Sequence, residues 1–179
     1  MLSRIAESLF WIGRYVERAD GTARIVDVLR LQLLEDAGTD ETVAAGTVLT
    51  VIMGMPTSEG VGVADVGAQL VFDRTNFSSI SGSWLAAREN ARRVRETLST
   101  ELWESINTTW HRWNSMGRHS VTERHLSWVR ERAALVSGIA DSTMSHDDAW
   151  EFLVLGRSLE RADMTARLVA NGGLPRGGP

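Results

Sequence analysis

The sequence predicts an all-α fold, an elongated helical bundle with an internal duplication, and three observations carry that expectation. Apolar residues recur at spacings of three and four along most of the chain. Runs with strand propensity, such as TVLTVIM, have helix-like neighbours and no hairpin turns. A polar stretch near the start, GRYVERADGTAR, returns near the end as GRSLERADMTAR.

The first helix is expected from Ser3 to about Asp36, because Ile5, Leu9, Ile12, Val16, Ala19, Ala23 and Val26 form one apolar stripe. Ser3 is the expected N-cap and Gly38 the stop. Such a helix runs about 50 Å at ~1.5 Å per residue, which favours an elongated bundle. A second, more hydrophobic helix spans Glu41 to Met53 and ends at Gly54 and Pro56. PTSEGVGVADVG reads as a loop leading to a short helix from Ala64 to Phe72.

FDRTNFSSISG carries turn formers and then a serine pair placed to cap a helix from about Ser81 to Leu98. Ser99 starts the next helix, on which Trp103, Ile106, Trp110 and Trp113 share one face. Core packing is the expected role of that stripe, ahead of a ligand-stacking platform. NSMGRHS breaks the helix, and VTERHLSWVRERAALVSGIAD makes another. Ser145 with Asp148 resembles a capping box for the last helix, which holds the second motif copy. A single helical domain is expected over 1–171, with GGLPRGGP (172–179) as a flexible tail.

Composition narrows the function. Hydrophobic residues at 43% and charged residues at 23% argue for a packed core over disorder. The absence of Cys excludes disulfides and thiolate metal sites. No apolar run approaches the ~20 residues of a membrane span, and Glu7 interrupts the only signal-like stretch. A soluble, cytoplasmic protein with no membrane partner is expected. A net charge of −4 gives no bulk attraction to nucleic acid. All 19 basic residues are Arg, so ion pairs here are guanidinium–carboxylate pairs.

The two motif copies lie 143 residues apart and agree at Gly13/Gly156, Arg14/Arg157, Glu17/Glu160, Arg18/Arg161, Asp20/Asp163 and Arg24/Arg167, among others. A solvated helix face accepts any polar residue, so repeated polar identities signal duplication. On a helix, Gly13, Glu17, Asp20 and Arg24 fall within a strip about 60° wide beside the apolar stripe. Asp20 is expected to pair with Arg24, and Arg14 with Glu17, within their own helix. A glycine inside a helix costs about 1 kcal/mol relative to alanine, so both glycines suggest a close approach by another backbone or a ligand. A pseudo-two-fold packing of the motif helices follows, with Glu17 and Glu160 near Arg161 or Arg18 of the other copy.

Three readings of these ten residues, Arg14, Glu17, Arg18, Asp20, Arg24, Arg157, Glu160, Arg161, Asp163 and Arg167, stay open. They form an inter-repeat ion-pair network, a site for an anionic or peptide-like ligand, or a carboxylate metal site. The missing histidines and the three arginines per copy weigh against a metal, and no cofactor is expected. His111, His119, His125 and His146 show no ligand spacing, and no phosphate loop, nucleophile elbow or zincin motif is present. Arg88, Arg92, Arg93 and Arg95 alternate with Glu89 and Glu96, as a solvated helix face does.

MLSRIAESLFWIGRYVERADGTAR, AARENARRVRETLSTELWESIN and DDAWEFLVLGRSLERADMTAR resemble the bacterial alpha-E family, an all-helical domain with a Glu-Arg motif in tandem duplication. The resemblance spans most of the chain and places the Glu-Arg pairs at Glu17-Arg18 and Glu160-Arg161. It implies a non-catalytic accessory or scaffold module linked by gene context to a peptide synthesis or modification system. The partners it implies are a circularly permuted ATP-grasp ligase, a transglutaminase-like protein and an N-terminal-nucleophile hydrolase. The different-class alternative is a substrate-binding or catalytic subunit whose Glu-Arg pairs hold a peptide or amino acid. Family members usually continue well beyond the second motif, so this chain is expected to be a short member or to borrow helices from another copy as a homodimer.

Overall fold

The apolar stripe of the first segment winds residues Ser3–Glu35 into one unbroken helix, α1, whose Leu9, Ile12, Ala19 and Ala23 are fully buried. The computed structural model describes residues 2–35, 38–54, 61–116 and 121–171. Six further α-helices follow among the described residues, with no strand: α2 (Glu41–Met53), α3 (Val63–Val66), α4 (Ile80–Arg93), α5 (Thr100–Ser115), α6 (Glu123–Thr143) and α7 (Asp148–Ala170). The tail 172–179 lies outside the described residues.

Local chemistry fixes the ends. Asp40 caps α2 by accepting from the Thr42 and Val43 amides, and Gly54 closes it at φ 72°, a left-handed turn suited to glycine. Ser79 and Ser99 cap α4 and α5 by accepting from the Gly82 and Leu102 amides. Three expectations are corrected at this level. Ser3 lies inside α1 and does not cap it, since the Leu2 carbonyl accepts from the Ile5 and Ala6 amides. The cap of α7 is Asp147, which accepts from the Ala149 amide, and not a Ser145–Asp148 box. The helix expected to Leu98 stops at Arg93, and a separate 3-10 turn covers Arg95–Thr97. The short helix near Ala64 is α3 continued as a π-helical turn over Gly67–Phe72.

α1 is the central strut, packed against α4, α6 and α7. One core joins side chains from these helices, from α2 and from α5. The tryptophan stripe of α5 packs into it: Ile106 and Trp113 are buried, and the Trp113 indole N–H donates to the Ser81 hydroxyl at 2.7 Å. Trp113 stacks between Phe72 and Trp128 at centroid distances of 6.2 and 6.1 Å. His125, one of the four histidines without ligand spacing, meets the edges of Phe72 and Trp113.

Gly138, on the exposed face of α6, has open space where a Cβ would stand. Gly138→Ala is therefore expected to stabilise the fold by about 1 kcal/mol, seen as a rise in melting temperature. An unchanged or lower melting temperature would contradict this account of the α6 surface.

Candidate functional site

α1 and α7 run parallel, and their contacts climb in step: Gly13 meets Leu153, Arg18 meets Glu160, Gly21 meets Met164. The two motif glycines make the crossing. A Cβ built on Gly13 would collide with the Leu153 carbonyl oxygen and stand 2.9 Å from the Arg157 backbone nitrogen. One built on Gly156 would collide with the Phe10 carbonyl oxygen and stand 3.2 Å from the Arg14 backbone nitrogen. Leu153 and Phe10 occupy equivalent positions of the two copies, as do Arg157 and Arg14. The two close approaches are therefore images of each other across a pseudo-dyad lying along the helices. Each backbone uses the other's missing side chain.

That proximity lets the polar residues reach across. Arg18 forks onto Glu160 through Nε at 2.6 Å and Nη2 at 2.9 Å. Its image, Arg161, forks onto Glu17 through Nε at 2.6 Å and Nη2 at 2.9 Å. Arg24 donates to Asp20 at 2.7 Å, and Arg167 forks onto Asp163 at 3.1 and 2.9 Å, again as images. Arg167 also donates to the Ile52 carbonyl at 3.2 Å, tying α7 to the end of α2.

The symmetry then breaks. Arg14 crosses to Glu160 at 2.5 Å and Asp163 at 3.3 Å, and not to Glu17 on its own helix as its spacing suggested. The glycine contact brings the facing carboxylates within its reach. Arg157, the image of Arg14, turns away to Asp141 on α6 at 3.4 Å. Glu160 is consequently held by two guanidinium groups and is 3% exposed, whereas Glu17 is held by the single, largely exposed Arg161. A buried carboxylate with this many charge-assisted donors is a structural anchor whose partners cannot leave it unpaired.

Two cavities flank the Glu17–Arg161 pair. One, about 420 Å³, lies between α1 and α7 and adds Gly21, Ile25, Met164 and Leu168 to Asp20 and Arg24. The other, about 440 Å³, opens towards α6. No cluster of acidic, His or Cys side chains suited to a metal occurs among the described residues.

Aromatic rings wall the Arg14–Arg18 side. The guanidinium groups of Arg14 and Arg18 lie 5.5 Å from the Trp11 ring and 5.4 Å from the Tyr15 ring. Burial pushes the Tyr15 hydroxyl above its ordinary 10.0, opposed by Arg18 and assisted by Glu160. Arg161 is held further above an already high value by its bonds to Glu17. Tyr15 is the chain's only tyrosine, so an ultraviolet pH titration reads it directly. Its midpoint is expected above 10 in the folded protein and back at about 10 after denaturation. The unfolded chain then ionises first, so this group's contribution to stability falls as pH rises past 10. A native midpoint at or below 10 would contradict the packing around it.

A family model described as a predicted alpha-helical domain with a conserved ER motif matches residues 1–173. The chain belongs to the Alpha-E family. Uncharacterised proteins of Mycobacterium bovis and of Mycobacterium tuberculosis strain CDC 1551 are each 28% identical to this Alpha-E chain over 189 aligned positions. One from strain H37Rv is 27% identical over the same length. Each alignment covers 88% of this chain and 21% of the relative, so the chain spans about a fifth of the length of these curated relatives. No solved structure matches it. No described helix is long and apolar enough to cross a membrane.

Proposed function

We propose that this Alpha-E domain is a non-catalytic accessory module that docks through α7 onto a helical segment of a larger partner. The peptide synthesis or modification setting suggested by family resemblance makes an ATP-grasp-type ligase the partner, with a transglutaminase-like protein in the same assembly. One observation carries the reading. On α1 the stripe Ile12, Val16, Ala19, Ala23 and Val26 is buried, none of its members more than 5% exposed. The corresponding positions on α7 are Leu155, Leu159, Ala162, Ala166 and Val169, and all five are exposed.

The α7 stripe has the alternating three and four spacing of a coiled-coil seam. The α6 residues Leu126, Val129, Ala133, Val136 and Ala140 have the same spacing and are buried in the core beside α1. A seam of that kind is thus what the duplicated face is shaped to meet. Ser158 and Thr165 flank the α7 stripe without charge, so an incoming helix meets no like-charge penalty there. The mycobacterial relatives support the accessory reading, since the equivalent segment there makes up only about a fifth of a longer chain. The sealed Glu160 network supports a structural role for the Glu-Arg pairs.

The test is co-purification with an ATP-grasp-type ligase of the proposed class, comparing the native chain with a Leu155→Asp/Leu159→Asp variant. Loss of the complex with an unchanged melting temperature is expected. Retention of the complex would overturn the docking face, and a native chain that forms only homodimers through α7 would replace the ligase by a second copy.

A further inference from the structure

The exposed stripe of α7 has an occupied image inside the same molecule. Leu155 and Leu159 correspond to Ile12 and Val16 on α1, and the helix seated there is α6. Val136 and Ser137 close on Ile12, Gly13 and Val16 around a void of only about 10 Å³. Ala133 and Ala134 then face Val16, Glu17 and Asp20. Further along, Arg130 pairs with Asp27 at 3.2 Å, and Glu123 lies 3.7 Å from Arg30. Residue numbers fall along α6 as they rise along α1, so the two helices are antiparallel.

The pseudo-dyad carries that seat onto α7. Its floor, Val16, Glu17 and Asp20, becomes Leu159, Glu160 and Asp163. Its flank on the facing motif helix, Arg157, Ser158 and Arg161, becomes Arg14, Tyr15 and Arg18. Leu155 and Leu159 are 51% and 46% exposed, so no described element covers this second seat.

The image also says what fits. A second copy has no α6 to spare, because Leu126, Val129, Ala133, Val136 and Ala140 are buried in its own core. The occupant is therefore a helix from a different chain. Asp27, which holds Arg130 of α6, has Ala170 as its image, so the newcomer needs no basic residue at that level. Tyr15 stands where α6 passes Ser158, and a ring leaves less room at the crossing than a hydroxymethyl group. We propose, resting on the docking role above, that the partner segment is an α6-like helix lying antiparallel to α7. Its seam is apolar at alternating spacings of three and four, with alanine-sized residues where it passes Leu159 and Tyr15.

The probe is a synthetic peptide copying residues 122–143, held helical by a staple joining positions 131 and 135, both exposed on α6. Because the chain has no cysteine, Glu151→Cys or Asn171→Cys places a fluorophore at one end of α7 or the other. The two positions stand about 30 Å apart along the helix. Saturable binding of one peptide per chain is expected, and a short-range quencher on the peptide's N-terminus is expected to quench the label at 171 and spare the one at 151. Affinity is expected to fall at least about 10-fold for the Leu155→Asp/Leu159→Asp chain, and equally for a peptide carrying Ala133→Phe. Absence of saturable binding would overturn the proposal. So would quenching at 151 alone or at both labels equally, or undiminished affinity in either variant. A ligase that docks while the peptide does not sinks this geometry alone. A peptide that seats as expected, while the ligase stays on the Leu155→Asp/Leu159→Asp chain, upholds the seat and sinks the ligase as its occupant.

Discussion

Gly13→Ala is expected to lower the melting temperature by roughly 6–12 °C, for a loss of about 3 kcal/mol or more. The added methyl group would occupy the place of the Leu153 carbonyl oxygen, which belongs to the backbone of α7 and has no rotamer by which to move. The helices must therefore separate. Separation lengthens the Arg14 and Arg18 bonds to Glu160 as well, because those reach across the same crossing. Gly156→Ala should cost a similar amount, since it meets the Phe10 carbonyl by the same geometry. Gly138→Ala goes the opposite way. Thermal melts of the three variants decide it, and a neutral Gly13→Ala would show that α1 and α7 do not touch there.

Glu160→Gln is the second large effect, expected at about 3 kcal/mol, because the change takes the buried carboxylate away from two guanidinium groups whose side chains are each 16% exposed. Glu17→Gln, the same substitution at the equivalent position, is expected to cost less than about 1 kcal/mol. Its partner Arg161 is 67% exposed and returns to water when the pair is lost. The difference between two identical changes at repeated positions is the informative quantity. Denaturant midpoints of both single variants measure it, and equal losses would mean that the burial difference has no energetic weight.

Much of this architecture is legible in the sequence, for a physical reason. Helical periodicity is a local property, and it places α1 and α2 within a residue of where they fold. The doubled glycine reports a close approach by a backbone or a ligand, and the facing carbonyls of Leu153 and Phe10 show it to be backbone. Partner choice is another matter. Arg14 has Glu17 within reach on its own helix, yet it bonds to Glu160 and Asp163, which become neighbours only once α7 has docked. The start of α7 departs from the expected Ser145–Asp148 box because Ser145 and Asp147 are both good caps and only the backbone turn decides between them. Nor does an apolar stripe say whether it is covered. Val16 and Leu159 read alike in sequence, and only one of them is buried.

The measurement closest to the heart of the account is a double-mutant cycle on Arg18→Ala and Glu160→Gln, read from denaturant unfolding. A duplicated motif that pairs across its own pseudo-dyad predicts a coupling energy on the order of 2 kcal/mol for this pair, 142 residues apart. It predicts next to none for Arg14→Ala with Glu17→Gln, three residues apart on one helix. A strong coupling within that local pair, and additivity for Arg18 with Glu160, would contradict it.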